Sequence, residues 1–193
     1  MKIALIGSSS TGKSTLARLL AKELALPLIR EQARVVLAEM GKTLKELRAN
    51  PDDILKFQHA VLEHQIASEI ECAESGFVSD RSVFDNLTLY LRHCPVTSPG
   101  VEHYRETVLA HYREYPYDIL VFLRPGEFPM EADGVRTPEP LYQAQVDGMI
   151  LAILNLFCVP YFEVAGTPTQ RVAAVKEIIE KISPHWLEER SKA

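Results

Sequence analysis

The most chemically informative residues of this sequence form a glycine-bounded loop close to the start of the chain. Residues 7–14 are Gly-Ser-Ser-Ser-Thr-Gly-Lys-Ser and match the pattern G-x-x-x-x-G-K-[ST] at every position. Glycines let such a loop curl so that successive backbone N–H groups point at a phosphate. In this pattern the lysine contacts the β- and γ-phosphates of a nucleotide, and the final hydroxyl ligates Mg²⁺. We therefore expect a binding site for a nucleoside triphosphate and Mg²⁺ at Gly7, Ser8, Ser9, Ser10, Thr11, Gly12, Lys13, Ser14 and Thr15.

The segments on either side of this loop support the prediction. Lys2–Ile6 is a short apolar run, which is typical of a strand buried on both faces. The leucines of residues 14–25 recur at helical spacing, so an amphipathic helix is expected to follow the loop. This context favours a phosphate site over the alternative, a Ser/Gly-rich turn before an ordinary helix.

A charged pair follows the third predicted strand. Asp80 and Arg81 come directly after residues 76–79, at the carboxyl end where parallel sheets build their sites. Asp80 could ligate Mg²⁺ together with Ser14, or accept the proton of an attacking hydroxyl, while Arg81 could neutralise phosphate charge. The alternative is that Asp80 only caps the helix that begins near Ser82.

The other candidate residues lie after the second strand and in a long irregular segment. Glu31 and Arg34 are three residues apart, so they share a helix face and either contact the substrate or form a solvated ion pair. Residues 124–140 hold four prolines and cannot form a regular element. Asp133 and Arg136 lie within them, in a stretch expected to be a lid that closes on the substrate and excludes water, or else a charged surface loop.

The pattern of the whole chain alternates strands with helices. Such alternation gives a mostly parallel sheet with helices on both faces, which is an α/β fold. We assign residues 1–183 to a single domain and residues 184–193 to a C-terminal tail. The predicted strands are Lys2–Ile6, Leu26–Ile29, Gly76–Ser79, Asp118–Leu123 and Tyr161–Val164.

The composition argues against several classes of protein. Of 193 residues, 47% are hydrophobic and 24% charged, the mix of an ordinary globular protein. The 21 basic and 26 acidic residues give a net charge of −5, so we expect no nucleic-acid partner. Because no targeting segment or long apolar run is found, we expect no membrane partner and a cytoplasmic location. The scattered Cys72, Cys94 and Cys158 fit a reducing compartment and are expected to be buried.

Four further motifs resemble those of a known family. They are Glu31-x-x-Arg34, Glu114-Tyr-Pro-Tyr-Asp118, Asp133-Gly-Val-Arg136 and Val159-Pro-Tyr-Phe-Glu-Val164. With the order of the elements, they resemble the ribosylnicotinamide kinase domain of NadR-type proteins, within the broader P-loop ATPase/kinase-like (AAA_28-like) group. The resemblance covers the chain from Lys2 to about Ile182. It implies a P-loop NTPase fold like that of nucleoside and nucleotide kinases, with a five-stranded parallel sheet and a lid loop.

The resemblance also implies an activity. The family transfers the γ-phosphate of ATP, with Mg²⁺, to the 5′-hydroxyl of nicotinamide riboside, a step of NAD biosynthesis. On this hypothesis Asp80, with Glu31 as the second choice, orients and deprotonates the hydroxyl. The expected catalytic residues are Lys13, Asp80, Arg136 and Glu31. The expected substrate-binding residues are Glu31, Arg34, Asp80, Arg81 and Asp133, and the expected Mg²⁺ ligands are Ser14 and Asp80.

Two other functions remain open. The sequence Asp80-Arg81-Ser82 is similar to the D-R-[ST] of deoxynucleoside and thymidylate kinases, which favours a deoxynucleoside or nucleotide kinase. A regulatory ATPase or nucleotide-binding module would use the same phosphate loop without a small-molecule acceptor. A guanine-binding N-K-x-D motif is absent, which argues against a GTPase. The sequence leaves open whether the chain forms a homo-oligomer.

Overall fold

The computed structural model of the chain describes residues 1–94, 97, 100–129 and 139–187. Five strands and eight helices are found in these residues. In chain order they are β1 (Lys2–Ile6), α1 (Lys13–Glu23), β2 (Leu28–Ile29), α2 (Gln32–Met40), α3 (Leu44–Ala49), α4 (Pro51–Glu71), β3 (Phe77–Asp80), α5 (Val83–His93), α6 (Val101–Glu114), β4 (Ile119–Phe122), α7 (Pro140–Leu156), β5 (Phe162–Glu163) and α8 (Pro168–Ile182).

The five strands form one parallel sheet in the order β2-β3-β1-β4-β5. The central strand β1 pairs with β3 on one side and with β4 on the other, for example through Leu5 opposite Asp80 and Val121. Because all the strands run in the same direction, their carboxyl ends meet at one edge of the sheet. The predicted α/β fold with a five-stranded parallel sheet is confirmed.

Two layers of helices bury the two faces of the sheet. Along β1, Ile3 and Leu5 face a cluster formed mainly with α1 and α8, whereas Ala4 and Ile6 face a cluster formed with α5, α6 and α7. Neighbouring residues of a strand point to opposite faces, so a strand covered on both sides must be apolar throughout. This requirement explains the continuous apolar run that marked β1 in the sequence.

The helices between β2 and β3 form a smaller third cluster that includes Val36, Leu47 and Phe57. The sequence analysis missed α3, which has only six residues. A local signal was present, however, because Thr43 and Glu46 form a capping box in which the threonine hydroxyl accepts from the Glu46 amide. The cluster lies beside the phosphate loop and supplies walls of a cavity described below.

Several boundaries differ from those predicted. The strands β2 and β5 have two residues each, shorter than the apolar runs that contain them.

Cys158 is exposed rather than buried, because it lies in the turn after α7 with a positive φ of 53°. Trp186 and Leu187, in the segment assigned to the tail, pack against the cluster of α1 and α8. Among the described residues, no helix is both long and apolar enough to span a membrane.

Candidate active site

The phosphate loop joins the end of β1 to the start of α1, at the carboxyl edge of the sheet. Gly7 has a φ of +153°, and a Cβ at this position would lie 2.4 Å from the Leu123 carbonyl oxygen, so the close approach of β4 requires a glycine. The Gly7 N–H donates to Oδ1 of Asp85 at 3.4 Å, which ties the loop to α5. These contacts fix the position of the loop relative to two neighbouring elements.

Lys13 is buried within the loop at the first residue of α1. Its Nζ donates to the Ser8 carbonyl oxygen at 2.5 Å and to the Thr11 hydroxyl at 3.3 Å. Burial and the nearby Arg81 guanidinium lower the pKa of Lys13 to about 8, against the opposing effect of nearby carboxylates. The ammonium is therefore held over the loop and is still mostly charged at neutral pH.

Arg171, on α8, also contacts the phosphate loop. Its guanidinium donates to the Thr11 carbonyl oxygen at 2.6 Å and to Oε2 of Glu127 at 2.7 Å, and it lies over the ring of Phe128. A Cβ on Gly12, which has a φ of +85°, would approach this guanidinium and this ring to 3.1 and 3.2 Å. Nothing in the spacing of the sequence marks Arg171, because its partners are more than 40 residues away.

Asp80 ends β3 beside the loop, and its side chain is 6% exposed. Among the residues that the structure describes, none donates a hydrogen bond to its carboxylate. Asp80 and the Ser14 hydroxyl line the same cavity. Two hard oxygen ligands, with phosphate oxygens and water to complete the shell, are the set that Mg²⁺ takes in nucleotide sites. No group of three or more His, Cys, Asp or Glu side chains that could hold a metal ion occurs in the described ranges.

Arg81 lies between carboxylates in the interior. Its Nε donates to Oε1 of Glu31 at 2.9 Å, and its Nη1 donates to Oδ1 of Asp85 at 3.2 Å. Burial opposes its charge, but Glu31, Asp85 and Asp80 outweigh that effect and raise the pKa of Arg81 above its usual value. Its φ of +121° is rare for any residue with a Cβ. Strain of this kind costs about 1–3 kcal/mol and is found mainly at functional sites.

The structure argues against the capping role considered for Asp80. The helix α5 is capped by Ser82, whose hydroxyl accepts from the Asp85 amide, while the Asp85 carboxylate accepts from the Ser82 N–H at 2.9 Å. This reciprocal capping box satisfies the start of α5 without Asp80. Burial raises the pKa of Asp85. The sequence analysis did not single out this residue, although its carboxylate accepts hydrogen bonds from the Ser82 cap, from Arg81 and from Gly7 of the loop.

A buried hydrogen-bond network contacts the start of α5. The Tyr117 hydroxyl accepts from the Val83 N–H at 3.0 Å and donates to Oε1 of Glu69 at 2.8 Å. Oε2 of Glu69 lies 2.7 Å from Nε2 of His111. Tyr117 belongs to the Glu114–Asp118 motif, whose last residue accepts from the Lys2 N–H at 2.6 Å. The described contacts of this motif therefore join elements of the fold to one another.

The cavity in front of the loop has a volume of about 360 Å³. It brings together most of the predicted residues, including Glu31, Arg34, Asp80 and Arg81 with the loop residues Ser9–Thr15. Glu31 precedes α2 rather than lying within it, and Oε2 of Glu31 accepts from Nε of Arg34 at 3.1 Å. The predicted lid residues Asp133 and Arg136 lie outside the residues that the structure describes.

A comparison of the sequence with family models adds an independent observation. Residues 2–171 match the family AAA_28, described as an AAA domain. The chain belongs to AAA_28. A search of curated proteins gave no match to this AAA_28 protein.

Solved structures share the fold of this AAA_28 protein at low sequence identity. A NadR protein in complex with NR has a TM-score of 0.74 at 14% identity, over 94% of this chain and 50% of that chain. The chain thus spans half of the NadR chain. A deoxyadenosine kinase from M. mycoides has a TM-score of 0.66 at 16% identity, over 94% of this chain and 100% of that one. Shikimate kinase from Aquifex aeolicus has a TM-score of 0.55 at 14% identity, with 93% and 96% covered.

Proposed function

We propose that the chain is an ATP-dependent kinase that transfers the γ-phosphate to the hydroxyl of a small molecule. The observation that carries the proposal is that the phosphate loop, Lys13, Asp80, Glu31 and Arg81 all line one cavity. Phosphoryl transfer needs little besides positioning and charge stabilisation, and this cavity holds cations for the phosphates and carboxylates for the acceptor. The solved structures that share the fold include kinases of small molecules, which agrees with this proposal.

The roles of the residues follow from their contacts. Lys13 and the loop amides would hold the β- and γ-phosphates. The Ser14 hydroxyl and, through water or directly, the Asp80 carboxylate would hold Mg²⁺, which would neutralise phosphate charge when bound. Both carboxylate oxygens of Glu31 accept hydrogen bonds from arginines, one from Arg81 and one from Arg34. Asp80 accepts none from the described residues, so we assign the orientation and deprotonation of the acceptor hydroxyl to Asp80 and the positioning of Arg81 to Glu31. Arg81, with Arg136 as the lid arginine, offsets charge on the transferring group.

The first candidate acceptor is the 5′-hydroxyl of nicotinamide riboside, which would place the protein in NAD biosynthesis and in the cytoplasm. The resemblance of its motifs to NadR-type kinases supports this candidate, and so does its structural similarity to a NadR protein in complex with NR. The second candidate is a nucleoside with an ordinary base. It is favoured by Asp80-Arg81-Ser82 and by the similarity to a deoxyadenosine kinase over 94% of this chain and 100% of that chain.

Formation of ADP with a panel of acceptors tests the proposal. The panel contains nicotinamide riboside, ribonucleosides, deoxynucleosides and nucleoside monophosphates, each with ATP and Mg²⁺. We expect one class of acceptor to stimulate ADP formation well above the rate with water alone. A regulatory ATPase would instead release phosphate at a rate that no acceptor changes, and that result would refute the kinase proposal.

A further inference from the structure

A second cavity, of about 50 Å³, adjoins the phosphate cavity. Ser9 and Arg81 line both cavities, so a molecule in the second one would lie next to the phosphates held by the loop. The walls come from helices α2, α3, α4, α5 and α7 and are largely apolar. They include Ala33, Leu37, Leu44, Ile54, Phe57 and Leu89.

One wall of this cavity carries an aromatic pair. Nε2 of His93 lies 2.8 Å from the Tyr142 hydroxyl, and the two rings are stacked with their centroids 5.8 Å apart. The guanidinium carbons of Arg48 and Arg92 lie 5.4 and 5.3 Å from the centroid of the Tyr142 ring. Burial, Arg48 and Arg92 lower the pKa of His93 to about 4, so its imidazole is neutral at neutral pH.

The charged side chains that line the second cavity are arginines. Arg48 and Arg81 line it, and no Asp or Glu does so among the residues that the structure describes. Arg81 is balanced by Glu31 and Asp85, but within the described part of the chain no carboxylate forms an ion pair with Arg48. A flat uncharged ring would gain from the apolar walls, whereas a cationic ring would be desolvated next to a guanidinium without a compensating carboxylate.

We propose that the second cavity binds the uncharged heteroaromatic base of the acceptor nucleoside and discriminates against a cationic ring. This inference rests on the proposed kinase function, and it favours a neutral nucleoside over nicotinamide riboside, whose ring is a pyridinium cation. A cavity of about 50 Å³ holds only a few water molecules. A base is larger than this cavity, so its binding requires wall side chains to move apart, among them Leu44 and Arg48 of α3.

The sharpest probe is a pair of ligands that differ in the charge of the ring. Nicotinamide riboside and its reduced form, dihydronicotinamide riboside, have nearly the same size, but the reduced ring is neutral. Each is titrated calorimetrically into the protein with a non-hydrolysable ATP analogue and Mg²⁺, and each is then assayed for kcat/KM with ATP. We expect at least tenfold tighter binding of the neutral form, and measurable binding of uridine or deoxyadenosine. Equal or tighter binding of the cation, or no binding of any neutral riboside, would overturn the inference.

A matched pair of variants tests the role of Arg48. Arg48→Gln is expected to reduce the preference for the neutral ring several-fold, because it removes the positive charge at the cavity. Lys45→Gln makes the same change of charge at another exposed position of the same helix, one that does not line the cavity. An equal effect of the two variants would overturn the assignment of Arg48. If neutral ribosides bind but yield no ADP, the kinase proposal fails while the assignment of the cavity stands.

Discussion

Nε of Arg81 donates to Oε1 of Glu31 at 2.9 Å, which joins the end of β3 to the residue before α2 across the mouth of the phosphate cavity. Both side chains are 6% exposed, so this is a buried ion pair. It helps to hold Arg81 at its positive φ, directly after Asp80 at the end of β3. The pair makes the geometry of the site depend on two segments that are far apart in sequence.

Removing one partner of this pair should destabilise the protein. Arg81→Ala leaves the buried Glu31 carboxylate without its main cation, and we expect the free energy of unfolding to fall by about 3 kcal/mol. Arg34→Ala is the matched control, because Arg34 also pairs with Glu31 but is half exposed, and we expect less than about 1 kcal/mol. Urea unfolding followed by circular dichroism measures both. Equal losses in the two variants would show that burial does not set the strength of these pairs.

The binding of ATP should weaken as the pH rises through about 8. The pKa of Lys13 is about 8 in the free protein, so its ammonium is present below this pH and is lost above it. Above pH 8 binding must first return the proton, and the Kd should rise by up to tenfold for each pH unit. Titration with a non-hydrolysable ATP analogue between pH 6.5 and 9.5 measures this dependence. Lys13→Met should bind weakly with no such rise, and a flat profile for the unmodified protein would contradict the assignment.

Arg171 should contribute to nucleotide binding although it lies more than 150 residues from the loop. Arg171→Ala removes the guanidinium that holds the Thr11 carbonyl oxygen and Glu127, so we expect the affinity for the ATP analogue to fall by about tenfold or more. Arg171→Lys should not restore it, because an ammonium cannot make both contacts in the same geometry. Lys176→Ala, which removes an exposed cation from the same helix, is the control and should leave the affinity unchanged.

Two glycines with positive φ should respond differently to alanine. A Cβ on Gly12 would meet the Phe128 ring and the Arg171 guanidinium, whereas a Cβ on Gly41 would have nothing within 4 Å. Gly41→Ala should therefore cost only the strain of a left-handed residue, about 1–2 kcal/mol of stability. Gly12→Ala should in addition displace the loop and lower ATP affinity. Thermal unfolding and nucleotide titration of both variants check this, and equal ATP affinity in the two would contradict the proposed packing.

Local signals explain why so much of the fold was predictable. The strands β1 and β4 are apolar because they are covered on both faces, and the phosphate loop is a contiguous motif between a strand and a helix. Helix boundaries followed recognisable residues, such as Pro51 at the start of α4 and Gly41 at the end of α2. Each of these signals arises within a few residues of the feature it predicts.

The parts that were missed depend on contacts between distant residues. Arg171 reaches the loop from the last helix, and Glu69 meets Tyr117 across 48 residues, so neither leaves a pattern in the local sequence. Asp85 is a different case, because its capping box with Ser82 is a recognisable local pattern. The cap was visible in the sequence, but the hydrogen bonds of Asp85 to Gly7 and Arg81 were not.

The most direct test follows the γ-phosphate itself. The protein is incubated with Mg²⁺, γ-labelled ATP and the acceptor that best stimulates ADP formation, and the label in the acceptor is compared with the label in inorganic phosphate. We predict that most of the label is transferred to the acceptor, and that Asp80→Asn lowers this rate at least about 100-fold, far more than it weakens ATP binding. Glu31→Gln should lower the rate less, because Arg81 keeps its contact with Asp85. Label found only in inorganic phosphate, or a near-normal transfer rate for Asp80→Asn, would contradict the account.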